Sequence, residues 1–161
     1  MSLLDRYTNP INGRYFMIVK DILRKKGNTI YSVHPEETVY EAIKKMSELN
    51  IGSLLVIKDQ KLEGIISDRD YRDKVILMGR ASKNTNVHEI MTSNLYYVSS
   101  SDSVQTCMAI MTDKKIRHLP VMDGEKLSGV ISIGDLVKSI IDDQNVKINN
   151  LTSYITGNYP G

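Results

Sequence analysis

Laid against itself at an offset of 65, the chain matches without a gap, residues 31 to 71 against 96 to 136. Identical pairs run through the match: Tyr31 with Tyr96, Val39 with Val104, Met46 with Met111, Ile51 with Ile116, Gly64 with Gly129, Ser67 with Ser132 and Asp70 with Asp135. Upstream the likeness resumes at an offset of 68, Val19–Leu23 against Val87–Met91, so the first copy carries three extra residues near Arg24 to Asn28. A chain written twice from one unit is expected to fold as two like units. One unit of about 50 residues buries too little surface to be comfortable alone. The division expected is an N-terminal segment 1–17, a first repeat 18–80, a second repeat 81–143 and a tail 144–161, with the two copies packed sheet to sheet.

Each copy reads as β-α-β-β-α, which makes the fold class α/β. A short β-rich run, Ile30 to Val33 or Leu95 to Val98, comes first. A helix start follows: Thr38 to Glu41 fits a capping box, and Asp102 or Ser103 can cap the second copy. Val39, Ala42, Ile43, Met46 and Leu49 then recur at helical spacing, as do Val104, Cys107, Met108 and Met111. Two apolar runs, Ser53 to Ile57 and Gly64 to Ser67, flank a turn at Lys58 to Lys61. The copy turns at Asp123-Gly124, a strong hairpin signal. Second helices are expected from about Asp68 to Met78 and from about Gly134 to Asp142.

Composition narrows the function classes. With 41% hydrophobic and 25% charged residues the chain has the balance of a folded protein. A net charge of +2, its Lys and Arg scattered among acids, leaves no basic field for a nucleic acid. The single cysteine, Cys107, makes no internal disulfide and no thiol zinc site, and it aligns with Ala42 on a buried stripe, so core filling is expected of it. Apolar runs such as Phe16 to Val19 are far shorter than a membrane span. A cytoplasmic location and no membrane partner are expected. His34, His88 and His118 show no metal-ligand spacing, and Val130 stands where a nucleophile elbow around Ser132 needs a glycine. No catalytic residues are expected, and no metal.

What chemistry the chain carries is concentrated in two duplicated peptides, Gly64-Ile65-Ile66-Ser67-Asp68-Arg69-Asp70 and Gly129-Val130-Ile131-Ser132-Ile133-Gly134-Asp135. Each sets a hydroxyl and a carboxylate at a strand-to-helix turn, where free N–H groups and the helix dipole favour anions. A carboxylate there can accept both hydrogens of a ribose diol. Equally, an Asp at a helix start can simply be a cap.

These peptides, the Ile116–Val121 run Ile-Arg-His-Leu-Pro-Val, and the repeat length resemble CBS domains, over roughly Val19 to Ile141. The pair resembles a Bateman module, and the tail from Leu151 to Tyr159 is similar to that of small stand-alone CBS-pair proteins. The resemblance implies a homodimeric sensor that binds AMP, ADP, ATP or NAD(H) in two clefts related by pseudo-two-fold symmetry. It implies that Ser67 with Asp70, and Ser132 with Asp135, meet phosphate and the ribose diol. Phosphate would be gripped by Arg117 and His118 in the cleft of Asp70, and by Arg69 in the cleft of Asp135. The matching positions Gly52, Ser53 and Gly134 are uncharged, which implies unequal clefts. Adenine would sit near Tyr31, or near Leu95 and Tyr96, and against Ile51 or Ile116. The function implied is regulatory, the sensing of energy or redox state for a protein client whose identity the chain does not reveal. The rival reading is a dimeric interaction scaffold that works without a ligand, in which Arg69 and Arg117 are solvated charges, His118 is a neutral imidazole, and Tyr31 and Tyr96 are strand packing.

Overall fold

The computed structural model describes residues 17–155. Most of the N-terminal segment 1–17 and the end of the tail, 156–161, lie outside the described residues. The described residues form two compact units: residues 29–97 make one, and residues 17–28 together with 98–155 make the other. The contiguous repeats of the sequence and the packed units of the fold are therefore different divisions of the chain.

In the unit of residues 29–97, β1 (Ser32–Val33) runs parallel to β2 (Ser53–Lys58), which pairs antiparallel with β3 (Lys61–Ser67). The helix α2 (Val39–Leu49) is started by Thr38, whose side chain accepts the N–H of Glu41 at 3.2 Å. It buries Val39, Ala42 and Met46 against Leu54, Val56 and Ile66. The β2–β3 turn is tight because Asp59 and Gln60 both take left-handed backbone angles, φ 48° and 63°, which match the twist of a hairpin. After β3 comes α3 (Asp68–Tyr71).

The other unit repeats this plan. The helix α4 (Val104–Lys114) is capped by Ser103, which accepts the N–H of Thr106 at 3.0 Å. It packs Val104, Cys107 and Met111 on β4 (His118–Asp123) and β5 (Lys126–Ser132). The helix α5 (Ile133–Ile155) follows β5.

Each unit is completed by the lead-in segment of the opposite repeat. The helix α1 (Val19–Lys26) opens the first repeat yet packs Val19, Ile22 and Leu23 into the core of Leu119, Ile131 and Leu136. Val87 and Ile90, at the start of the second repeat, do the same in the core of Val39 and Ile66. The backbone bonds repeat to the residue. Val19 N–H donates to Asp102 O at 2.9 Å and Val104 N–H to Met17 O at 3.0 Å, while Val87 N–H donates to Glu37 O at 2.9 Å and Val39 N–H to Thr85 O at 2.8 Å. Two glycines admit these segments. A Cβ on Gly129 would stand 2.9 Å from Leu23 Cδ2, and one on Gly64 would stand 2.8 Å from Met91 Sδ and 2.9 Å from the Thr92 carbonyl oxygen.

Three expected elements differ. The helix from Asp68 to Met78 is one α turn followed by a π-helical stretch, Arg72–Ile76, in which Leu77 N–H reaches back five residues to Arg72 O. That wider turn accompanies the burial of Val75, at 1% exposure, while Ile76, Leu77 and Met78 stay outside. The run Leu95 to Val98 forms only a single parallel bridge, Val98 with Val121. The reason is Pro120: Tyr31 O accepts the N–H of Leu55, and Pro120, aligned with Leu55, has no N–H to give to Tyr96. Finally, α5 continues past Asp142 to Ile155, since Gly and Pro are absent between Asp142 and Gly157.

Candidate functional site

Strand directions place the expected site residues at one end of each sheet. In the first unit, β1 and β2 begin where β3 ends, so Ser53 faces Ser67 and Ser32 lies beside Leu55. Tyr31, Ile51 and the Ser67–Asp70 turn thus share one sheet end. The turn is joined to the start of β2 by a bond from Asp68 N–H to Gly52 O at 3.1 Å. In the other unit His118 faces Ser132, and Ile133 N–H donates to Arg117 O at 2.8 Å, which sets Ile116, Arg117 and His118 beside the Ser132–Asp135 turn. Leu95 and Tyr96 fall within the unit of residues 29–97.

Within each turn the hydroxyl and carboxylate are tied together. Ser67 donates its N–H to Asp70 Oδ2 at 2.9 Å and its hydroxyl to the same oxygen at 2.8 Å, while Asp70 N–H donates to Ser67 Oγ at 3.3 Å. Ser132 N–H donates to Asp135 Oδ2 at 2.8 Å, and Asp135 N–H to Ser132 Oγ at 3.1 Å. Both aspartates are therefore helix caps, as the plainer sequence reading allowed. Capping leaves them acceptor capacity, because a carboxylate offers about four lone-pair sites.

Each carboxylate also holds an ammonium group, and here the repeats diverge. Asp70 Oδ1 pairs with Lys74, one helical turn onward, at 2.8 Å; Lys74 also donates to Ile90 O at 2.7 Å. The equivalent of Lys74 is Ser139, so Asp135 is served differently. Lys26 at the end of α1 donates to Asp135 Oδ2 at 2.6 Å and to Val130 O at 2.8 Å. Burial is the largest influence on the Asp135 carboxyl and opposes its ionisation. The Lys26 ammonium and the Ser132 N–H outweigh it together, holding the group below its ordinary range. Lys25, Lys26 and Lys138 line a small cavity with Asp135 and Asp142.

Lys26 and Lys74 were absent from the sequence reading. Lys74 could have been found, since i,i+4 to an Asp is a helical ion pair. Lys26 lies in the three-residue surplus of the first copy, which marks the place without disclosing its partner 109 residues away.

The remaining candidates have plain placements. Arg69 and Arg117 are exposed, and His118 is half-buried at the head of β4. Tyr31 and Tyr96 are 41% and 43% exposed, more than strand packing would leave them. Ile51 and Ile116 are half-buried against their cores. Cys107 is fully buried, and burial, with the Asp102 carboxylate, pushes its thiol up to about 12, which makes it core filler. Among the described residues no helix is long and apolar enough to cross a membrane.

Comparison with known proteins agrees with this architecture. The CBS domain pattern matches residues 19–76 and 87–142. The chain is 37% identical over 150 residues to the mitochondrial CBS domain-containing protein CBSX3 of Arabidopsis thaliana, covering 88% of this chain and 73% of that one. Its fold is similar to a CBS-domain protein of Burkholderia ambifaria assigned to signal transduction: TM-score 0.77, 52% identity, 80% of this chain and 96% of that one. It is also similar to the CBS domain structure NE2398, with a TM-score of 0.76 and 44% identity over 79% of this chain and 99% of that one.

Proposed function

The chain belongs to the CBS-domain family, and from that premise we propose that it is a regulatory, non-enzymatic homodimer that binds an adenine nucleotide and reports its level to a protein client. The observation that carries the reading is the doubled turn: a serine and an aspartate at the end of each sheet, with an exposed tyrosine on the chain that leads into β1 in the first unit. The ligand class is AMP, ADP, ATP or NAD(H). Asp70 and Asp135 accept the ribose diol, and Asp135 is the more open of the two, its side chain 23% exposed against 12% for Asp70. The bonds from Lys26 and from the Ser132 N–H both fall on its Oδ2, and a carboxylate keeps further acceptor sites for a hydroxyl. Ser67 and Ser132 serve phosphate or ribose, and Arg69, Arg117 and His118 supply cationic contacts to phosphate. Ile51, Ile116, Leu95, Tyr31 and Tyr96 offer apolar surface to adenine. A single buried cysteine fits a reducing compartment, and we place the protein in the cytoplasm.

One observation favours the rival, a ligand-free scaffold: both aspartates are already engaged as caps and ion-pair acceptors. A thermal-shift panel separates the two. A ligand that prefers the folded protein stabilises it by about 2.7 kcal/mol at a hundredfold excess over its Kd, a midpoint rise of roughly 5–10 °C for a chain of this length. AMP, ADP, ATP or NAD(H) is expected to produce it. No rise with any of them at millimolar concentration contradicts the nucleotide reading and leaves the scaffold.

A further inference from the structure

The helix α5 outruns the unit it belongs to. Leu136 and Ser139 anchor its first turns, at 0% and 6% exposure, but every residue from Gln144 to Thr152 is exposed. This distal half contains Asn145, Asn149, Asn150 and Thr152, which are weak helix formers, and a solitary helix of that composition is marginal in water. With the turns just before it, it also carries apolar side chains that the described residues of its unit leave exposed. Val137, Ile141, Ile148, Leu151 and Ile155 are 43 to 82% exposed. With Gln144 they fall at alternating steps of four and three residues, the spacing of a coiled-coil seam.

We infer that the distal half of α5 pairs with the same helix of a second copy as a parallel two-stranded coiled coil. This deepens, and rests on, the homodimer proposed above. In heptad terms Ile141, Ile148 and Ile155 occupy every a position, and Val137, Gln144 and Leu151 the d positions. Isoleucine at a with leucine at d, the pairing of Ile148 with Leu151, favours two parallel strands. Gln144 decides the orientation and the occupant. In a parallel, in-register pair it faces its own counterpart, and the two amides satisfy each other. An antiparallel pair sets d against a, and would bury the amide against isoleucine. The flanking charges do not oppose the pairing, since Lys147 at g faces Thr152 at e of the partner. The seam is less than three heptads long, so the association is reversible and depends on concentration.

Cysteine cross-linking of the full chain tests it, because the buried native Cys107 does not compete. Gln144→Cys is expected to form a covalent dimer on mild oxidation, while Asn149→Cys, on the outer face, is not. Ile148→Asp, at an exposed site that leaves the fold intact, is expected to raise the dimer Kd by at least about tenfold. Sedimentation of the unmodified chain separates the ways to fail. A monomer at every concentration overturns the seam together with the homodimer. A dimer that Gln144→Cys does not cross-link, or that Ile148→Asp leaves unweakened, overturns the seam alone.

Discussion

The two aspartates show how one residue type in one motif acquires different surroundings. Asp70 draws its ammonium partner from the next helical turn, Asp135 from α1, more than a hundred residues earlier in the chain. The carboxyl of Asp135 is held below its ordinary value of 3.8, so the native state binds fewer protons there than the unfolded chain as pH falls past that value. Its stabilisation is fully present above pH 3.8 and is lost as pH falls through the lowered native value. Lys26→Met is therefore expected to destabilise the protein modestly at pH 6 and to shrink the fall in urea midpoint between pH 6 and pH 3. Parallel curves for variant and native protein would show that Lys26 is not what favours the ionised form. The same variant removes the Lys26 bond from Asp135 Oδ2 and leaves that of the Ser132 N–H, so nucleotide affinity at that turn should not decrease.

At the scale of elements, the exchange of lead-in segments sets the most demanding packing. Gly64 and Gly129 are equivalent by sequence but not by what a methyl group would meet. At Gly129 the obstacle is the end of the Leu23 side chain, which can rotate; at Gly64 it includes the Thr92 backbone carbonyl, fixed by its bonds to Ile65. Gly64→Ala is expected to cost about 1–3 kcal/mol, the range for overpacking, and Gly129→Ala less. Chemical denaturation of both variants checks the order, and an equal or reversed cost contradicts it. Much of this scale was legible in the sequence. Thr38 and Ser103 cap the helices expected of them, and both hairpins turn where polar and glycine residues interrupt apolar runs. The lead-in exchange was not legible, because an offset of 68 reveals likeness and not the partner a segment packs on. The loss of the first strand in the second copy was written in Pro120, but its meaning depends on knowing which N–H the Tyr31 carbonyl uses. The candidate turns were readable because their residues are contiguous; their counter-ion Lys26 was not, because only the fold brings it near.

For the whole molecule, the duplication yields two turns of one design and unequal openness, each positioned by a sheet end rather than by a flexible loop. Rigid placement suits a sensor, since a ligand reports by its difference in affinity between states and not by strength alone. The central claim is that these turns read ribose, and calorimetric titration of AMP and its 2′-deoxy form tests it most directly, on the native chain and on the Asp70→Ala, Asp135→Ala double variant. A charge-assisted hydrogen bond contributes roughly 1.5–3 kcal/mol, so native protein should bind AMP about ten- to a hundredfold more tightly than the double variant does. It should also prefer AMP to the deoxy form, a preference the double variant loses. Equal affinity of native protein for the two nucleotides, or undiminished AMP binding by the double variant, would contradict ribose recognition and leave both aspartates as helix caps.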